Sequence, residues 1–238
     1  MKSRIALIAF IFTGMCITLS YSCKKDGDGN NNDNNNDTTN NIKVTDIDGN
    51  IYNTVTVGTQ VWMVENLKTT KYNDNTSIPL VTNSKEWAAL SAPGYCWYFN
   101  DRAFYKNTYG ALYNWYALNT GKLCPTGWHV PSDAEWTVLS DYLGGESVAG
   151  GQLKEITYTH WKSPNLYATN KTGFTALPGG YRYENGPFYY NGDLGIWWSS
   201  TEFDNQSAWD RLLDHYTGSI YRSPYSKNYG LSVRCLQD

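Results

Sequence analysis

Hydrophobic and polar positions change rhythm several times along this chain. Ile5 to Leu19 is a continuous apolar run behind a short basic start, Lys2 and Arg4. From Lys24 to Asn41 the chain is almost wholly Asn, Asp, Gly and Thr, too polar to bury a core, so a disordered tether is expected there. Alternation begins at Asn53–Val57 and Gln60–Leu67, which flank Gly58-Thr59 and predict a hairpin. Asp46-Ile47-Asp48-Gly49-Asn50 predicts a plain turn; as a calcium loop its glycine comes early and its glutamate is missing.

Helical spacing appears three times. Asn83 followed by Ser84–Leu90 predicts a capped helix that Pro93-Gly94 ends. Leu112, Trp115 and Tyr116 predict a helix over Tyr109–Leu118. Ser132 with Glu135 three residues on forms a capping box, and Trp136, Leu139 and Leu143 line one face up to the exit at Gly144 or Gly145. Tyr95–Phe99 reads as a buried strand. From Thr157 onward turns dominate, and Asn185-Gly186-Pro187 lies between Tyr181, Tyr183 and Phe188, Tyr189, Tyr190, as in a hairpin faced with tyrosine. Ile196–Ser200 and Ala208–Leu213 predict strands with Trp197, Trp198 and Trp209 toward a core, and Ser232–Leu236 predicts the closing strand.

Composition narrows the class. The chain has 10 Trp, 20 Tyr and 21 Gly, and its net charge is −3 with Lys and Arg scattered, so there is no basic stripe and nucleic acid is not an expected partner. The apolar run of about 15 residues falls short of the ~20 that span a bilayer. It ends at Ser20-Tyr21-Ser22-Cys23, where polarity flips to Lys24-Lys25-Asp26. That order predicts a lipoprotein signal over residues 1–22 and a lipidated Cys23 heading a tether to residue 41. The mature protein is then expected outside the cytoplasm, held to the bacterial envelope by its lipid anchor, at the outer membrane, with a periplasmic and a cell-surface placement both open. Asp37-Thr38-Thr39 matches a short O-glycosylation acceptor pattern.

Residues 42–238 are expected to form one domain with Cys96, Cys124 and Cys235. An oxidising compartment allows one bridge. Cys124–Cys235 is favoured because it ties the chain end to the middle, with three free thiols or a bridge through Cys96 as the alternatives. No Cys or His spacing suggests zinc, and no metal ligands are assigned.

Several blocks together carry a resemblance: Tyr95-Cys96-Trp97, Gly110-Ala111-Leu112-Tyr113-Asn114-Trp115, Cys124-Pro125-Thr126-Gly127-Trp128-His129, Gly173-Phe174-Thr175-Ala176-Leu177-Pro178-Gly179-Gly180, Trp197-Trp198-Ser199-Ser200 and Val233-Arg234-Cys235. In this order the chain from Val44 onward resembles the Fibrobacter succinogenes major paralogous domain, whose members are mostly exported proteins and lipoproteins. Pro131–Trp136, Gly144-Gly145 and Val233-Arg234-Cys235 are more distantly similar to the formylglycine-generating enzyme family. That similarity implies an α+β, C-type-lectin-like domain: short helices packed on twisted antiparallel strands with long ordered loops. It does not imply the oxidase, since Cys235 lacks the second cysteine of that enzyme's copper pair. Lectin-type calcium binding to sugar is not expected either, because Ser163-Pro164-Asn165 lacks the carboxylate before proline and Phe99-Asn100-Asp101 stands where lectins carry Trp-Asn-Asp. Calcium in another loop stays open, and no cofactor is assigned.

Three functions follow as expectations. The first is a non-catalytic module binding glycan or protein through Tyr181, Tyr183, Tyr189, Tyr190 and Tyr221, since aromatic groups on rigid loops give large contact area at low entropic cost. The second is an adhesive or structural subunit of a surface assembly. The third, an enzyme, has little behind it: His129 reads as a packed residue, His160 and His215 as isolated, Glu202 and Asp204 as an unproven pair, and no nucleophile or phosphate motif appears.

Overall fold

The computed structural model describes residues 43–238. The expected signal over residues 1–22, the expected lipidation at Cys23 and the expected tether lie outside the described residues. At the start, β1 (Val44–Thr45) and β2 (Ile51–Tyr52) form a small hairpin. Its turn is organised by Asp46, whose carboxylate accepts from Asp48 N, Asn50 N and the buried Tyr52 hydroxyl at 3.0, 2.9 and 2.6 Å. β3 (Thr54–Val57) and β4 (Gln60–Met63) then pair around Gly58-Thr59 as the alternation predicts. Helix α1 (Ser84–Ala88) is capped by the Asn83 side chain and buries Trp87.

Two expectations fail in the next stretch. The strand expected over Tyr95–Phe99 is only β5 (Tyr95–Cys96); the chain then makes a short 3-10 turn in which Phe99 has φ +50° and is 61 % exposed. Asp101 caps the helix that follows, α2 (Arg102–Tyr109), by accepting from Phe104 N. The helix expected over Tyr109–Leu118 is broken at its second residue. Gly110 has φ +76°, and a Cβ there would lie 2.7 Å from the Leu67 carbonyl oxygen, so no side chain can continue the helix. Leu112–Tyr113 instead forms β6, paired with β5, and only Trp115–Leu118 is helical (α3), capped by Asn114.

After β7 (Trp128–His129), α4 (Asp133–Tyr142) follows the sequence reading closely: the capping box is complete, and Trp136, Leu139 and Leu143 are buried. Gly144 and Gly145 both take positive φ and lead straight into a helix the sequence hides, α5 (Glu146–Leu153). Its interior Gly150-Gly151 looks like a breaker, since glycine costs about 1 kcal/mol in a helix. Both glycines are needed for close approach: a Cβ would lie 2.2 Å from the Ser219 carbonyl oxygen at Gly150 and 2.4 Å from that of Tyr167 at Gly151.

The remaining strands are β8 (Tyr181–Arg182), β9 (Phe188–Tyr189), β10 (Leu194–Glu202), β11 (Ser207–Asp214), β12 (Tyr221–Ser226) and β13 (Leu236–Gln237). β10, β11 and β12 form an antiparallel sheet; β13 sits between β4 and β7 in a second one. Trp197 and Trp198 are buried as expected, but Trp209 is only half-buried. It is covered by the Arg222 guanidinium at 3.3 Å and by Phe203 rather than by the core.

The architecture is α+β, with small antiparallel sheets and short helices joined by long loops. Aromatic packing fills the core, with Trp62, Trp136, Phe174 and Trp197 in contact around ring distances of 4.7 to 6.4 Å. The loops are held by buried cations that bond backbone carbonyls. Lys154 Nζ donates to Leu166, Asp214 and Thr217 at 2.8, 2.9 and 2.8 Å. Arg234 lies over Phe174, donates to the Phe174 carbonyl and also reaches Asn66 Oδ1. Cys124 and Cys235 are bridged across 111 positions with Cα atoms 6.0 Å apart. Cys96 is free and buried, and burial pushes its thiol up to about 12. Among the described residues no helix is long and apolar enough to cross a membrane.

Candidate functional site

Period-two alternation on the β8–β9 hairpin separates a tyrosine face from a buried one. The register is Tyr181 with Tyr189 and Arg182 with Phe188. Arg182 points inward and is fully buried, its guanidinium donating to the Gly186, Val81 and Thr82 carbonyls at 2.9, 2.6 and 3.0 Å. It lies between Trp87 and Phe188, 4.4 and 5.0 Å from the ring centroids. These bonds clamp the hairpin and its turn to the segment before α1. The turn itself presses close: a Cβ at Gly186 would lie 2.3 Å from the Ser84 Cβ.

With Arg182 fixed, its neighbours face outward. Tyr181, Tyr183, Tyr189 and Tyr190 line a shallow depression of ≈ 230 Å³ together with Asn185. Tyr181, Tyr189 and Tyr190 are mutual neighbours with centroids 6.0, 5.8 and 6.2 Å apart. Tyr190 holds φ +63°, an uncommon conformation for an aromatic residue. Arg182 also exchanges backbone hydrogen bonds with Gly230 at 2.9 and 2.8 Å, which brings Tyr229 to 4.9 Å from Tyr183 and 5.6 Å from Tyr181. Tyr225 on β12 completes the cluster, 4.8 Å from Tyr229 and 6.3 Å from Tyr181.

The result is a shelf of six tyrosines. Tyr181, Tyr225 and Tyr229 rest on the core, while Tyr189 and Tyr190 are 44 % and 52 % exposed. Burial raises the hydroxyls of Tyr181 and Tyr225 to about 12, and that of Tyr229 is raised by burial and by its hydrogen bond with Tyr183. These three hydroxyls therefore stay neutral at any ordinary pH.

Four of the five residues expected in the site are gathered here. Tyr221 is elsewhere: it sits opposite Leu212 at the other end of β12, and its hydroxyl meets Thr217 at 3.2 Å. Sequence reasoning missed Tyr225 and Tyr229. Tyr225 shares a strand face with Tyr221 two alternations along, a signal that was present; Tyr229 is placed by the Gly230 bridge, which no local pattern announces.

The other candidate groups are engaged elsewhere. His129 bonds Asp238 and Glu135 at 2.7 and 2.9 Å. His160 is not isolated but paired with Glu155 at 2.9 Å, its ring against Tyr109. His215 also has neighbours, Asp193 at 3.5 Å and the Tyr216 ring. Glu202 holds Lys227 at 2.8 Å, and Asp204 accepts from Gln206 N and Ser207 N in the β10–β11 turn. Asn165 donates to the Glu155 carbonyl, Asn100 to that of Thr82, and Asp101 caps α2. Among the described residues no three His, Cys, Asp or Glu side chains gather as a metal shell. Among the described residues larger depressions of ≈ 610 Å³ beside Gly58 and Tyr142 and ≈ 460 Å³ beside Val148 and Tyr167 each offer a single exposed aromatic ring, and one of ≈ 430 Å³ beside Pro79 and Pro93 offers only the buried Tyr72.

Comparison with curated proteins and with solved structures gives no match to this chain. The family model of the Fibrobacter succinogenes major domain matches residues 55–237, so both the buried clamp and the tyrosine shelf lie inside the matched region. The chain belongs to the Fibrobacter succinogenes major domain family.

Proposed function

We propose that this domain is a non-catalytic recognition module that binds an exterior glycan or protein through its tyrosine shelf. The observation that carries this reading is the pairing of open aromatic surface with a buried clamp. Six tyrosine rings meet at one surface, and Arg182 fixes the hairpin from which four of them project. Rings held in this way lose little entropy on binding. Membership of the family points to an exported or surface protein. The signal and Cys23 motif support a lipid anchor in the bacterial envelope, with the tether holding the module clear of the membrane. The architecture is compatible with a C-type-lectin-like arrangement, in which irregular loops are pinned to small sheets.

The adhesive-subunit reading has less behind it. Strand addition needs an open edge, but β12 carries Pro224 and the outer edge of β10 exchanges hydrogen bonds with Ser232. The histidines, each set against a carboxylate rather than a hydroxyl or thiol, give no support to nucleophilic catalysis.

The test compares wild type with a Tyr189→Ala/Tyr190→Ala variant on a glycan array and in pull-downs from envelope fractions. Both rings are about half exposed and neither belongs to the core, so folding should be weakened by no more than ~1 kcal/mol. Loss of a wild-type binder by tenfold or more supports the shelf. Equal binding by a folded variant, or no binder for wild type, removes the proposal.

A further inference from the structure

Cation–ring contact is used throughout this fold, except at its richest aromatic surface. Lys68, Lys154, Arg182, Arg222, Lys227 and Arg234 each lie over an aromatic ring. Among the described residues none of these cations stacks on a shelf tyrosine.

The geometry of Tyr181, Tyr189 and Tyr190 suits such a guest. Their centroids form a near-equilateral triangle, 5.8 to 6.2 Å on a side, with ring planes tilted 31° to 52° from one another. A cation about 3 Å above the triangle's centre would lie about 4.5 Å from all three centroids, inside the ~6 Å range for attraction. Tyr190 is held in its strained conformation by Asp193 N and Leu194 N, which both donate to its carbonyl at 3.0 Å.

Two acidic side chains lie near the shelf. The carboxyl groups that bear on the shelf hydroxyls are Asp210, acting on Tyr225, and Glu184, acting on Tyr229. Asp210 is opposite Ser223 in the β11–β12 register, a diagonal neighbour of Tyr225 on the same face. It is fully buried, and neither carboxyl oxygen has a hydrogen-bond partner among the described residues. A buried carboxyl without a partner is a cost the fold does not require. Burial raises its pKa well above the usual carboxylate range, so it stands neutral and leaves Glu184 as the acidic residue beside the shelf.

We infer that the bowl of Tyr181, Tyr189 and Tyr190 is a seat for a quaternary ammonium head group of the choline type. This rests on the reading of the shelf as the recognition face and names the chemistry it selects. A quaternary ammonium carries charge without N–H groups, so it needs ring faces rather than acceptors. Asn185 is the only lining residue that is not tyrosine. The depression of ≈ 230 Å³ is below the ~300 Å³ where drug-sized pockets begin, and fits a head group with a short tail.

The experiment titrates choline and tetramethylammonium into the full chain by calorimetry, beside the uncharged isostere 3,3-dimethylbutan-1-ol. Both cations should bind at least tenfold more tightly than the isostere. Tyr190→Phe, which keeps the ring, should retain choline affinity within threefold, while Tyr190→Ala and Tyr189→Ala each lose tenfold or more. Equal affinity for choline and its isostere overturns the inference, as does loss in Tyr190→Phe equal to that in Tyr190→Ala. A shelf-dependent glycan or protein ligand that excess choline fails to displace also overturns it, while leaving the recognition reading intact.

Discussion

Reducing the Cys124–Cys235 bridge tests how the end of the chain is held. The bridge closes a loop across 111 positions. In the chain-entropy model a loop of that length restricts the unfolded ensemble by roughly 4.8 kcal/mol at 25 °C. Both cysteines are buried in the main core cluster, beside Trp128 and Val130, so the folded state keeps its packing when the bond is cut. Unfolding some 200 residues carries an entropy of about 0.4 kcal/mol/K, so a loss of 3 to 5 kcal/mol lowers the midpoint by about 7 to 12 °C. Calorimetry of oxidised and reduced wild type, with a Cys124→Ala/Cys235→Ala variant as the permanently open form, reads this directly. The reduced protein and the variant should melt within a few degrees of each other, both well below the oxidised protein. Midpoints within 2 °C across all three forms would falsify the assignment of this bridge as a major stabilising constraint.

Three further outcomes follow from the packing. Arg182→Met leaves three carbonyls without their donor at about 1 to 3 kcal/mol each, partly offset by removing a buried charge; the net expectation is a loss of about 2 to 4 kcal/mol in urea unfolding. Arg182→Lys should rescue little, because a point charge cannot span the same fork, and full rescue would contradict the clamp. Gly150→Ala should destabilise by about 2 kcal/mol although alanine is the better helix former; a raised melting temperature would remove the contact with Ser219. Burial lowers the affinity of His129 for its proton, but the hydrogen bonds its ring donates to the Asp238 and Glu135 carboxylates overcome this and raise its pKa. Its contribution is thus fully present below the ordinary histidine value of about 6.5 and is lost as pH rises through the folded value. The melting difference between wild type and His129→Gln should shrink from pH 6 to pH 8; a difference that grows with pH would reverse the assignment.

Much of the candidate site was legible before the fold. The Asn185-Gly186-Pro187 turn with flanking tyrosines marks the hairpin, and strict alternation assigns Tyr181 and Tyr183 to one face and Arg182 to the other. The role of Arg182 was not legible, because its acceptors Val81 and Thr82 lie 100 positions away and are backbone atoms that carry no side-chain signature. The same holds for Asp210: in sequence it is one polar residue in an alternating strand, and only the tertiary packing around β11 buries it without a partner.

Local rules succeeded where local energies decide. The capping box of α4, the Asn83 cap of α1, the Asp46 turn and the β3–β4 hairpin depend on bonds within a few residues, so residue type and spacing determine them. Where a distant backbone presses against the chain, those rules lose. Gly110 stops a helix that hydrophobic spacing supports because Leu67 occupies the space a Cβ would need, and Gly150-Gly151 continue a helix that propensity opposes because Ser219 and Tyr167 come too close for any larger residue. The sequence by itself determined the α+β class, the strongly capped elements, the family and the tyrosine content of the hairpin. Only the tertiary structure decided that Tyr225 and Tyr229 join that hairpin while Tyr221 does not, because which rings meet is set by a bridge at Gly230 and a buried cation, neither of which any short window of residues contains.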